Sequence, residues 1–121
     1  MALPLWALGT VFVLMGAWAA ADSRSFARVL VDFGPLNDHL VHDYGAASVA
    51  IGSGLLISAR LVAWRTPLLT IAAIWNGLHL VSHVADLGRA GSRALGLTEV
   101  GLLVLATGLL AWFARTSRRN P

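Results

Sequence analysis

The chain has 121 residues, 57% of them hydrophobic and 12% charged, with a mean hydropathy of +0.71 and a formal charge of +3. Soluble domains carry about 25% charged residues, so this composition excludes an ordinary soluble fold, and the length allows one small domain. The absence of cysteine excludes disulfides, thiolate metal sites and cysteine nucleophiles, and the nine basic residues, all arginine, are scattered singly instead of forming the basic face that nucleic acid requires.

The first element is 2–21, twenty residues without a charge, about 30 Å long as a helix and so matched to a bilayer core. Its "AWAAADS" end resembles a signal-peptide cleavage region. A positive start is missing and the apolar run is too long, so it reads as a retained membrane helix. Next, Phe26, Val29, Leu30 and Phe33 share one apolar face, with Ser25, Arg28 and Asp32 opposite. This pattern predicts a short helix over 23–33, lying in the membrane interface and ending at Gly34. An ordinary amphipathic connector is the plainer reading of the same pattern.

The second span is expected over 35–64, with Pro35 at its first helical position, a protruding polar start, and Arg60 snorkelling near its end. Thr66 and Pro67 read as the N-cap and first turn of a third span over 66–87. The loop "GRAGSRALG" leads to a fourth span over 97–114 and a polar tail, 115–121. The expected fold is therefore all-α: an integral membrane four-helix bundle, a single membrane domain over 1–121, with a short interfacial amphipathic helix between spans 1 and 2. Small residues recur at helical spacing and serve close packing in lipid. They are Gly9 and Gly16 in span 1, Ala46, Ala50, Gly54 and Ser58 with Gly45 and Gly52 in span 2, and Gly101 and Gly108 in span 4.

Four spans place the N-terminus, the 60–66 turn and the tail on one side, with Arg60, Arg65, Arg115, Arg118 and Arg119 and no acid. The other side carries Arg24, Arg28, Arg89 and Arg93 together with Asp22, Asp32, Asp38, Asp43, Asp86 and Glu99. Five arginines against four tilt the positive-inside rule toward cytoplasmic termini in a multi-pass protein of the cell inner (plasma) membrane. All four histidines lie at the acidic end, which is then the non-cytoplasmic face.

"LNDHLVHDYG", residues 36–45, concentrates that polar character. Asp38 and His42 are four apart, as are His39 and Asp43, while Asn76, His79, His83 and Asp86 form one stripe along span 3. Such a stripe in a membrane helix should face the bundle interior. Taking helices 2 and 3 as antiparallel neighbours with Tyr44 level with Asp86, His42 stands roughly 7 Å above His83, and His39 roughly 18 Å from the level of His79. Glu99 comes out nearly level with His83. The expected cluster is His42, Asp43, His83, Asp86 and Glu99, with His79 buried beneath it and Asn76, His79, Asp38 and His39 as a secondary polar stripe. Trp75 is placed either to pack on that stripe or to fill the core. Nitrogen and oxygen donors of this kind suit Zn or non-haem Fe, with haem between two histidines a lower-ranked fit.

The run "HDYGAASVAIGSGLLISA" and the four-span layout resemble small four-helix bacterial membrane proteins of the DoxX-like kind. The resemblance implies a membrane subunit associated with respiratory or redox enzymes. Without cysteine, no thiol or sulfur-transfer role carries over, and no catalytic residue is implied.

Three functional classes follow. The first is an accessory component of a larger membrane complex, a redox one if the resemblance holds, whose His/carboxylate cluster on the non-cytoplasmic face is a candidate metal site. The second is a small transporter or proton-conducting element using the histidine stripe of span 3. An enzyme acting alone ranks third, and interhelical hydrogen bonding that merely fixes packing stands beside all of these. The expected partners are membrane lipid and either a protein partner or a second copy of the chain.

Overall fold

A computed structural model describes residues 1–30 and 34–119. Five helices follow one another: α1 (Ala2–Ala21), α2 (Ser23–Leu30), α3 (Asp38–Arg60), α4 (Arg65–Ala85) and α5 (Arg93–Arg119). Short 3-10 turns over Val62–Trp64 and Leu87–Arg89 precede α4 and α5. Four of the helices are long and apolar enough to cross a membrane: α1, α3, α4 with its preceding turn, and α5.

The boundaries follow from local hydrogen bonding. Asp22 closes α1 by donating its amide N–H to the Trp18 carbonyl at 2.9 Å. It then opens α2, because its Oδ1 accepts from the Ser25 N–H at 3.0 Å, the N-cap geometry that satisfies an orphan helix donor. The Trp18 indole N–H donates to Ser25 Oγ at 2.7 Å, locking the corner from the other helix. The Ser25 amide, and after it the Ser25 hydroxyl, holds the Asp22 carboxyl below its ordinary value of 3.8, with Arg28 adding to the effect. A depressed folded-state value means that the cap is fully formed above 3.8 and lost as the pH falls through the folded value. Acidification well below 3.8 is expected to weaken the near-ultraviolet circular dichroism of Trp18 reversibly. Asp22→Asn, which caps without titrating, should remove that transition; an unchanged transition in this variant would place its origin elsewhere.

Helix α2 is described over Ser23–Leu30, within the expected 23–33. Phe26 is buried at 2% exposure and Leu30 half-buried, so the apolar face packs down onto α1 and α3. Ser23 Oγ donates to Asp38 Oδ1 at 2.6 Å, tying the start of α2 to the start of α3. Val29 is 53% exposed and off that face, while Asp32 and Phe33 lie outside the described residues.

Two expected helix starts move. Gly34, at φ +123°, and Pro35 form a bend, and α3 begins only at Asp38, where Asn37 Oδ1 accepts from the Leu40 N–H at 3.3 Å. A side-chain cap at Asn37 offers the backbone a start that Pro35 does not. Likewise Thr66 is not the N-cap of α4, which runs on directly from the 3-10 turn with Arg65 as its first residue. Arg65 instead caps the preceding helix, its Nε donating to the Ser58 carbonyl at 3.1 Å and its Nη2 to that of Ala59 at 3.2 Å. These are last-turn carbonyls with no helical partner. At the other end α5 starts at Arg93, four residues before the expected 97, with Ser92 Oγ accepting from the Leu95 N–H at 3.1 Å.

The four long helices form two antiparallel pairs. Gly9 packs on Gly52 and Gly16 on Gly45, so that a Cβ added at any of the four would lie 2.6–2.9 Å from a backbone atom of the other helix. This seven-residue spacing on both α1 and α3 brings the two backbones into direct contact. Helices α4 and α5 are joined by Asn76, 3% exposed, whose Nδ2 donates to Thr107 Oγ1 at 2.8 Å and to the Leu103 carbonyl at 3.2 Å. The two pairs meet fully at one end only, through Leu5, Leu55, Leu69 and Leu110 with Ala59, Ala72 and Ala114. Toward the α2 end they part.

Candidate functional site

The parted end encloses an apolar crevice of about 270 Å³. Met15 of α1, Phe26 and Leu30 of α2, and Leu40, Val41 and Tyr44 of α3 line one wall. His79 and His83 of α4 and Glu99, Leu102 and Leu103 of α5 line the other. Its mouth lies at Leu40 and Leu102, which are 62% and 60% exposed.

Helical spacing accounts for each polar group in the wall. Asn76, His79 and His83 stand three and four apart on α4, one above the other. Glu99 shares a face of α5 with Leu103, Thr107 and Leu110, and that face turns to α4. His83 Nδ1 and Glu99 Oε2 meet at 3.3 Å, with side-chain exposures of 13% and 9%. Glu99 Oε1 is buried and without a hydrogen-bond partner among the described residues.

Aromatic rings hold the histidines in place. The His79 ring stacks on Trp75, with centroids 5.4 Å apart and planes 14° from parallel, and lies 5.3 Å from Tyr44. Its other neighbour is His83, edge-on at 4.6 Å. Tyr44 continues to Phe26 at 5.5 Å, and Phe26 to Trp18 at 5.3 Å. The row therefore links the α1–α2 corner to the His83–Glu99 pair across the crevice. Of the two placements open to Trp75, it packs on the histidine stripe.

No protein family, curated protein or solved structure matches this chain. The site is accordingly read from its own geometry.

Of the five residues expected to cluster, the structure brings together His83 and Glu99. His42 and Asp43 are exposed, and Asp43 pairs with His39 at 3.5 Å in a solvated contact. Asp86 lies beyond the end of α4 and pairs with Arg89 at 3.1 Å. In the secondary stripe, Asp38 holds Ser23, Asn76 bonds α5, and the His79 ring lies edge-on to that of His83. Among the described residues no three histidine, aspartate or glutamate side chains converge as a metal-ligand set. A four-coordinate metal needs at least three protein donors, and His83 with Glu99 supplies two. No histidine of α3 faces those of α4, so a haem held between the two helices finds no second axial ligand there.

The level arithmetic also shifts. Tyr44 packs on His79, seven residues from its expected partner level at Asp86. The 3-10 turn over Val62–Trp64 lengthens the connection, and α3 and α4 splay at the crevice. Phe26, Met15 and Tyr44 are site residues that the polar pattern passes over. The signal for Tyr44 was its place on the Val41, Tyr44, Ser48, Gly52, Leu55 face, which carries α3's buried positions.

Proposed function

We propose that the protein is a small multi-pass membrane transporter that binds a largely apolar solute in the crevice and exchanges a proton with the solution at His83–Glu99. The observation that carries this is Glu99: a carboxylate 8% exposed in an apolar wall, beside a histidine, at the one place where the helix pairs part. An ionisable side chain in a membrane helix is costly and is retained chiefly where a path or site needs it. A lone polar contact for packing would be served by a neutral pair such as Asn76 and Thr107.

Membrane insertion belongs to this reading. Outward residues such as Ile71, Ile74, Leu78 and Val81 on α4 are 57–65% exposed, a continuous apolar surface that water does not favour. The excess of arginine at the closed end supports cytoplasmic termini, with the crevice at the non-cytoplasmic side of the cell membrane. Helix α2, amphipathic and at the crevice end, would lie at the interface.

The test is solute-driven proton movement. Liposomes holding the purified protein and a trapped pH dye are challenged in turn with benzyltrimethylammonium, neutral neopentylbenzene and phenylmethanesulfonate. One class is expected to drive proton movement through the wild type and not through Glu99→Gln. Silence toward all three would reject the transporter.

A second reading, an accessory component of a larger membrane complex, is favoured by α5. Gly101, Val104, Leu105, Gly108 and Trp112 form an exposed stripe, with nothing within 4 Å of where a Cβ would sit on either glycine. The DoxX-like resemblance points the same way, toward a redox complex. Co-purification of a stoichiometric partner from native membranes would support it, and a protein that purifies alone as a monomer would count against it.

A further inference from the structure

We infer that the solute is a hydrophobic organic monocation, such as a quaternary ammonium, held by Glu99 and the ring faces of the crevice and exchanged for one proton. This deepens the transporter reading and rests on it.

Charge complementarity selects the class. Among the described residues Glu99 is the only acidic one in the crevice wall, no arginine lines it, and Oε1 is buried without a hydrogen-bond partner. An anion would meet that carboxylate with only the proton that His83 and Glu99 share to compensate it. A neutral hydrocarbon would leave the buried oxygen unsatisfied, which is costly in an apolar wall. A cation satisfies it. The remaining surface suits the same ligand, because Phe26, Tyr44 and His79 present ring surfaces and Met15 a polarisable sulfur. Ring faces attract cations, most strongly when water is excluded. The size is also apt: an apolar cavity of about 150 Å³ holds one benzene ring, so 270 Å³ admits a ring with a compact branched head.

The proton balance follows from the pair. Among the described residues, the titratable groups that share the crevice wall with Glu99 are His83 and His79 from α4 and Tyr44 from α3; α1 and α2 contribute Met15, Phe26 and Leu30. Empty, the His83–Glu99 pair holds one proton on one of its two members, so no net charge is left in the wall. When the cation enters, that proton leaves to water, His83 is neutral, and the Glu99 carboxylate faces the ligand. One positive charge goes in and one comes out. No bond to the ligand forms or breaks.

Benzyltrimethylammonium and neopentylbenzene differ only by nitrogen for carbon at the head, and the quaternary ion has no proton of its own. Calorimetry on the detergent-purified wild type is expected to show the ion binding about thirty-fold or more tighter than the hydrocarbon. Measured in two buffers of different ionisation enthalpy, binding should release close to one proton. Glu99→Gln should lose the preference. Equal binding of the two probes, or binding without proton release, would overturn the inference, and both tests need no variant. In the liposome assay, proton movement driven by the hydrocarbon or the sulfonate but not by the ammonium would sink the cation and leave the transporter standing. Silence to all three would sink both.

Discussion

Gly16→Leu is expected to separate α1 from α3 and to cost about 3 kcal/mol or more, the upper end of what overpacking a core does. The first added carbon already lies 2.6 Å from the Gly45 carbonyl oxygen and 2.8 Å from the Val49 nitrogen. These are backbone atoms of the facing helix, and no rotamer change relieves the collision. Gly52→Leu meets the Gly9 carbonyl at 2.7 Å and should behave alike. Gly101→Leu and Gly108→Leu, at the same seven-residue spacing on α5, meet nothing within 4 Å in the chain itself and should leave its stability within about 0.5 kcal/mol. Denaturant titration in mixed micelles, followed by tryptophan fluorescence, separates these outcomes. Equal loss at all four sites would mean that α5 uses its glycines in an assembly as tightly packed as the α1–α3 contact.

His83→Leu is expected to destabilise the protein by about 2–3 kcal/mol, because it leaves the Glu99 carboxyl buried without the group it faces. The double variant His83→Leu with Glu99→Leu should recover most of that loss, since a well-packed apolar pair replaces a buried polar one at little net cost. It should at the same time be silent in solute-driven proton movement. Stability and function are thereby predicted to diverge, which is the signature of a pair kept for chemistry. If the double variant were as unstable as the single one, the pair would be holding α4 to α5, as Asn76 does, and the transporter would lose its main support.

Much of the molecule is legible in the order of its residues. The uncharged run that becomes α1 ends at the first charged residue, Asp22, whose backbone N–H closes α1 and whose carboxylate caps α2. The four apolar runs each become one helix, since length and composition alone decide whether a segment can span about 30 Å of hydrocarbon with its backbone bonds satisfied internally. Glycines seven apart on α1 read as packing sites and are; on α3 the contact is made by Gly45 and Gly52, beside the expected four-residue stripe, whose Ala46 and Ala50 are exposed. The stripe from Asn76 to His83 faces inward, because spacings of three and four on a helix fix a common face whatever surrounds it.

The site was legible only in part, and residues 39–44 show why. Depth along a helix can be counted, at about 1.5 Å per residue, but azimuth is set by what the helix packs against. Glycines 45 and 52 commit one face of α3 to α1, and Val41 and Tyr44 fall on the side of that face that turns to the crevice. His42 falls on its other side and Asp43 opposite it, and both stay exposed. Choosing between these faces required knowing that α3 packs on α1 along its length and touches α4 much less. The helix ends depended on equally local rivals: Asn37 outcompeted Pro35 as a start, and Arg65 was taken by the carbonyls of Ser58 and Ala59.

The sequence by itself determined an all-helical chain with four candidate spans, a charged asymmetry between its ends and a histidine stripe on the helix that follows the 60–66 turn. These depend on composition and on periodicities of one chain segment, which no tertiary contact alters. The tertiary structure alone decided that two helix pairs close at one end and part at the other. It also decided that Phe26 and Tyr44 share the opening with His79, and that Glu99 is the single carboxylate in its wall among the described residues. Those facts arise from the relative rotation of separate helices, which is settled by the summed packing of many weak contacts between residues far apart in the chain.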